Sequence, residues 1–178
     1  MLSDVRDALD LLYGANAATL PRSVRREAEK TLLTLRRLPA AEAMAICTSL
    51  LTDGPASALF AAQTTAHLCR TQEPGDTGAD AVLGLLRAAV AAGFSNAILT
   101  QFSLAVCALV GRLKAWPMVA LVPTLRGALD GSPVLLELLT LLPEEIGSNH
   151  LALGGDLLDE VREQLCSSAA PAVVELCL

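Results

Sequence analysis

Aromatic side chains are nearly missing from this chain: one Trp, one Tyr and three Phe make up 3% of its 178 residues. β-branched residues are few as well, and the two deficits together argue against a sheet protein, whose pleated surfaces are built from such side chains. Histidine occurs only at His67 and His150, far apart in sequence. The five cysteines, Cys47, Cys69, Cys107, Cys166 and Cys177, form no CxxC pair and are odd in number. That pattern supplies neither a zinc site nor a disulfide framework; it reads as reduced thiols buried in apolar helices of a cytosolic or nuclear protein. No GxxxxGK followed by Ser or Thr, no GxGxxG, no HExxH and no GxSxG occurs. No catalytic residue, cofactor or metal is therefore expected. Basic charge is also short. A net charge of −6 and a pI near 4.8 argue against a generic nucleic-acid binder.

What the chain has is Leu and Ala, which fill more than a third of its positions. Hydrophobic residues reach 53% and the mean hydropathy is +0.50. Such a chain offsets its ordering entropy easily, which excludes disorder, and its length suits one domain burying roughly 70% of its unfolded surface. Between Arg87 and Arg112 there is no charge, a stretch long enough to suggest a membrane span. Gly93-Phe94-Ser95-Asn96 interrupts it with a helix stop and a new N-cap signal, however, and the second half carries Thr100, Gln101 and Ser103. Two helices covered by protein on most sides explain it better, so no membrane insertion is expected. Met1-Leu2-Ser3-Asp4 offers neither a basic n-region nor an apolar h-region, so no secretory signal is expected.

Punctuation by Pro, Gly, Ser and Asp divides the chain into about ten short helices. Ser3 is the expected cap of a first helix that Gly14 ends; Pro21 opens a second. A third spans Ala40 to Leu51 and a fourth Ala56 to Arg70, before a polar loop from Thr71 to Gly78. The fifth runs from Ala79 to Ala92. The sixth, from the Ser95/Asn96 cap to about Leu113, is apolar nearly all round and must be sandwiched between neighbours. Pro117 opens the seventh, with Pro123 kinking it or shifting its start. Ser132-Pro133 caps the eighth, which Pro143 should end, leaving Glu144 to Asn149 as a connector. A ninth covers Gly155 to Cys166, and a last short one starts near Pro171.

The even-numbered helices are centred near Glu29, Gln63, Leu104 and Leu138, about 33 to 41 residues apart and close to the period of HEAT and armadillo units. The expected fold is thus all-α, a HEAT-repeat α-solenoid of about four to five antiparallel helix pairs rather than a compact bundle. Approximate repeats are 1-38, 39-72, 77-113, 115-145 and 150-178.

Three features invite a functional reading. The second helix carries Arg22, Arg25, Arg26, Lys30, Arg36 and Arg37 against Glu27 and Glu29; this is either a solvated outer face or a docking surface for an acidic partner. Glu144-Glu145 reads as a solvated or helix-capping pair rather than acid/base machinery. Cys107, inside a uniformly apolar helix, is expected to be inert.

Several segments, in order, resemble the N-terminal part of an importin-β-type nuclear transport receptor (karyopherin-β), and most closely the transportin-SR branch. Phe60-Ala61-Ala62-Gln63-Thr64 resembles the family's FAAQT on the second helix of the second repeat. Leu99-Thr100-Gln101-Phe102-Ser103-Leu104-Ala105 is similar to its next inner helix. Leu136-Glu137-Leu138-Leu139-Thr140-Leu141-Leu142-Pro143-Glu144-Glu145 is close to that branch's LELLTVLPEE, and the ending from Ser167 to Val174 is similar to its next helix. Leu11-Leu12-Tyr13 matches the first helix more loosely. In place of the family's usual aromatic near the start of the third helix stands Ala43-Met44-Ala45-Ile46. Full receptors of this kind are several times longer, with further cargo-binding repeats.

The resemblance implies a non-catalytic receptor for protein import that shuttles between cytoplasm and nucleus. Its concave first repeats would bind Ran-GTP, its outer helices Phe-Gly nucleoporins, and its later repeats protein cargo, SR-type proteins among them. By motif match, Gln63, Thr64 and Gln101 would face Ran-GTP. The alternative is a helical-repeat interaction scaffold without transport function. Ending mid-array would leave an apolar C-terminal end face, and self-association there is expected.

Overall fold

The computed structural model describes residues 1–72, 76–110, 118–129, 131–148 and 155–177. Helices α1 (Leu2–Tyr13) and α2 (Arg22–Leu35) form a first antiparallel pair, with a short 3₁₀ turn, Ala17–Thr19, between them. The pairs α3 (Ala40–Leu50) with α4 (Pro55–Thr71), α5 (Asp76–Ala91) with α6 (Asn96–Val110), and α7 (Met118–Leu129) with α8 (Val134–Gly147) follow. A last helical run comprises α9 (Gly155–Gln164), a π-helical turn over Leu165–Ala169 and α10 (Ala170–Cys177). The chain is an all-α helical-repeat solenoid, and the described residues contain no strand.

Two layers give the solenoid its order. The even helices α4, α6 and α8 stack on one another as an inner layer, and α3, α5 and α7 adjoin as an outer one. α6 packs against α4, α5 and α8 at once, so the six consecutive residues from Ala105 to Val110 are all buried. This is what a helix that is apolar nearly all round requires. Small side chains let the inner helices approach: Ala58, Ala61, Ala62, Ala105 and Ala108 are fully covered. Phe102 fills the space between them and is fully buried too. Gly93 ends α5 with φ +66°, the left-handed conformation that glycine adopts freely. There the Phe94 N–H reaches back to the Ala89 carbonyl at 3.2 Å, closing the helix end. At the other capping site, Ser132 Oγ accepts the Val134 N–H at 3.3 Å.

Several local expectations are corrected. Ser3 does not cap α1, which begins at Leu2; the Met1 ammonium instead pairs with Asp4 at 2.9 Å, placing an acid near the positive end of the helix dipole. The expected loop from Thr71 to Gly78 is shorter, because α4 extends to Thr71 and α5 begins at Asp76. Pro143 does not end α8, which continues to Gly147 and buries Glu145 and Ile146. Proline removes one backbone donor and crowds the preceding turn, but continuing the helix buries an extra turn of side chains. Pro123 likewise lies inside α7. The last short helix begins at Ala170, one residue before the expected start near Pro171; the π turn ahead of it, Leu165–Ala169, joins it to α9 in one helical run and widens the backbone where the proline ring would meet the carbonyl four residues back. The expected end of the sixth helix at Leu113, the start of the seventh at Pro117, and His150 lie outside the described residues.

Candidate partner-binding surface

Every helix of the inner layer buries one face and leaves another open. On α4 the open stripe comprises exposed Ala56 and Gln63 with half-buried Leu59, His67 and Arg70. On α6 it comprises Ala97, Thr100, Gln101 and Leu104, and on α8 Leu136, Glu137, Thr140 and Glu144. Gln63 is therefore exposed and Gln101 half-buried on neighbouring inner helices. Thr64 is different: it is fully buried, and its hydroxyl has no hydrogen-bond partner among the described residues. One residue beyond Gln63 it is turned about 100° round the helix, into the packed side and away from the open stripe that holds Gln63.

Polar bonds pin the inner helices to each other. Arg70 near the end of α4 donates from Nε and Nη2 to the two carboxylate oxygens of Glu145 on α8, at 2.6 and 2.9 Å. Thr100 on α6 donates its hydroxyl to the Glu137 carboxylate on α8. Glu145 is 5% exposed and Arg70 25%, so this bidentate pair is largely removed from water. The adjacent acids thus divide: Glu144 is solvated, as expected, whereas Glu145 is a structural partner rather than a connector residue. A signal for this exists in the sequence, because Glu145 occupies the apolar stripe of Leu138, Leu142 and Ile146.

Between the first two helix pairs lies a groove of about 520 Å³. Leu12 and Tyr13 of α1, Arg25, Glu29, Leu32 and Leu33 of α2, Arg36 just past its end, and Phe60 and Gln63 of α4 line it. The Arg36 guanidinium sits over the Phe60 ring, 5.9 Å from its centroid. The charges of Arg36 and Arg70 reinforce the burial that lowers the pKa of His67, favouring neutral imidazole. A second space of about 460 Å³ lies in the outer layer between α3 and α5, walled by Leu51, Ala81, Leu85, Ala88 and Phe94. It is an apolar slot between adjacent outer helices.

Among the described residues no side chain is arranged as an activated nucleophile. Burial pushes the Cys47 thiol up to about 11 and the Cys107 thiol higher still, and Cys107 Sγ donates to the Leu138 carbonyl at 3.7 Å. Cys47, Cys69 and Cys107 are buried and unbridged; Cys166, in the π turn, is exposed, against the expectation of a buried thiol. No described helix is long and apolar enough to cross a membrane.

A model of the exportin 1-like protein family matches residues 95–178, from the start of α6 to the chain's end. The matched stretch takes in α6 to α10, a little under half of the chain, and over that stretch the chain is similar to the exportin 1-like family. No curated protein matches the chain.

Proposed function

We propose that this chain is a Ran-GTP-binding, non-catalytic segment of a nuclear import receptor of the transportin-SR kind, working between cytoplasm and nucleus. The observation that carries the reading is the position of exposed Gln63 and half-buried Gln101 along the open face of an inner layer that continues into the exportin 1-like region. Their amides would hydrogen-bond the GTPase, and the acidic chain would orient a basic GTPase face by long-range attraction. Thr64, being buried, has no part in this contact. The α3/α5 slot has the apolar lining that a Phe-Gly nucleoporin ring would enter.

The test is a pull-down with Ran loaded with GTP or GDP, repeated with Gln63→Ala and Gln101→Ala. Binding confined to the GTP form, and weakened in either variant, supports the reading. Folded variants with unchanged affinity would remove the glutamine contact. Equal or no binding to both nucleotide forms would favour an interaction scaffold without transport function.

A further inference from the structure

The first helix pair is attached to the second unevenly. α1 packs on α4, and Arg6 donates to both carboxylate oxygens of Asp53 at 2.6 and 3.1 Å. Gln72 at the end of α4 donates to the Leu38 carbonyl at 3.1 Å. α2 meets α4 much less, and the groove opens there. Its floor is apolar, with Leu32 and Phe60 buried and Leu33 left 52% exposed on an otherwise charged helix. Two guanidinium groups flank this floor. Arg25 is oriented by donating to the Ala17 carbonyl at 2.9 Å. Arg36 rests on Phe60 with its Nε buried and without a hydrogen-bond partner among the described residues. Glu29 is the one acid lining the groove, while Arg22 and Arg26 stand exposed on α2, Arg37 stands exposed just past its end, and Lys30 pairs with Glu27 at 3.4 Å. A chain of net charge −6 thus sets two guanidinium groups against one carboxylate along this apolar cleft, with further cations on the helix beside it.

We propose that this groove binds a short acidic peptide segment of a partner protein, with a carboxylate on Arg36 and an aliphatic or aromatic side chain on Leu33. A buried guanidinium N–H without an acceptor is costly, and a carboxylate is its strongest complement. The apolar floor supplies the anchor that charge alone lacks. A nucleic acid fits worse: its phosphates would leave the floor unused, and the negative chain repels a long polyanion. The peptide contact rests on Arg36 and Leu33 and stands independently of any GTPase contact at Gln63.

Fluorescence anisotropy with the full chain tests this, using a labelled Asp/Glu-rich peptide with one central Phe. A Phe→Ala version, a Gln-rich neutral version and a single-stranded oligodeoxynucleotide serve as comparisons. Saturable micromolar binding is expected, weakened about tenfold or more by Arg36→Gln and by Leu33→Asp, weakened by salt, and lost with the neutral peptide. Leu33 is exposed enough that its replacement leaves folding intact, which circular dichroism checks. Absence of saturable binding, indifference to Leu33→Asp in the folded variant, or equal binding of the oligonucleotide would overturn the proposal.

Discussion

Replacing Glu145 by Ala takes away the carboxylate that answers a largely buried guanidinium. The two oxygens accept at 2.6 and 2.9 Å, and Glu145 is 5% exposed. Removing one partner of a buried pair costs roughly 3–5 kcal/mol, because the other charge keeps its desolvation penalty. Arg70 retains 25% exposure, so water relieves part of that penalty and the lower end applies, about 3 kcal/mol. For a chain of this size such a loss lowers the Tm by roughly 6–12 °C. Urea denaturation and calorimetry of Glu145→Ala, Arg70→Met and the double variant measure it. The double variant should recover about 1–2 kcal/mol of the summed single losses, since it leaves neither charge facing an apolar interior. Because the pair joins α4 to α8 across the stack, amide exchange near both helix ends should rise together in Glu145→Ala. A loss below about 1 kcal/mol, or strictly additive single effects, would refute the claim that this pair locks the inner layer.

Three further outcomes follow from the same packing. Burial and the charges of Arg36 and Arg70 hold His67 below its ordinary 6.5; the unfolded chain therefore binds the proton more readily, and His67's contribution to stability is present above about 6.5 and lost as pH falls further. A His67→Gln variant should show a shallower stability loss on acidification, and an identical slope would contradict the assignment. Under native conditions a maleimide should modify Cys166 while sparing Cys47, Cys69 and Cys107 until the chain unfolds; peptide mass mapping reads this, and early labelling of Cys107 would count against its burial. Phe102→Ala should cost roughly 3–5 kcal/mol by opening a cavity in the α4–α6–α8 stack, and a loss near zero in denaturation would show that the site collapses.

The inner layer is legible in sequence wherever a single physical requirement acts alone. An uncharged, largely apolar helix has to be covered on most sides, and α6 is, by three neighbours that leave only the stripe of Ala97, Thr100, Gln101 and Leu104 open; a glycine after an apolar run has to permit a left-handed turn, and Gly93 does. Legibility fails where a local rule competes with packing. At Pro143 the local rule stops the helix at a cost of about 3 kcal/mol for continuing, but continuing brings Ile146 into the core and Glu145 onto Arg70, and those contacts exist only if the turn forms. The same competition hid the Arg70–Glu145 pair, whose members stand 75 residues apart. A motif match fails differently. Five consecutive helical residues sweep more than one full turn, so Phe60-Ala61-Ala62-Gln63-Thr64 cannot present one face: Ala61, Ala62 and Thr64 are core, Phe60 floors a groove, and Gln63 alone is open to a partner. Resemblance thus points to a helix, but the helices packed around it decide which of its residues another protein can touch.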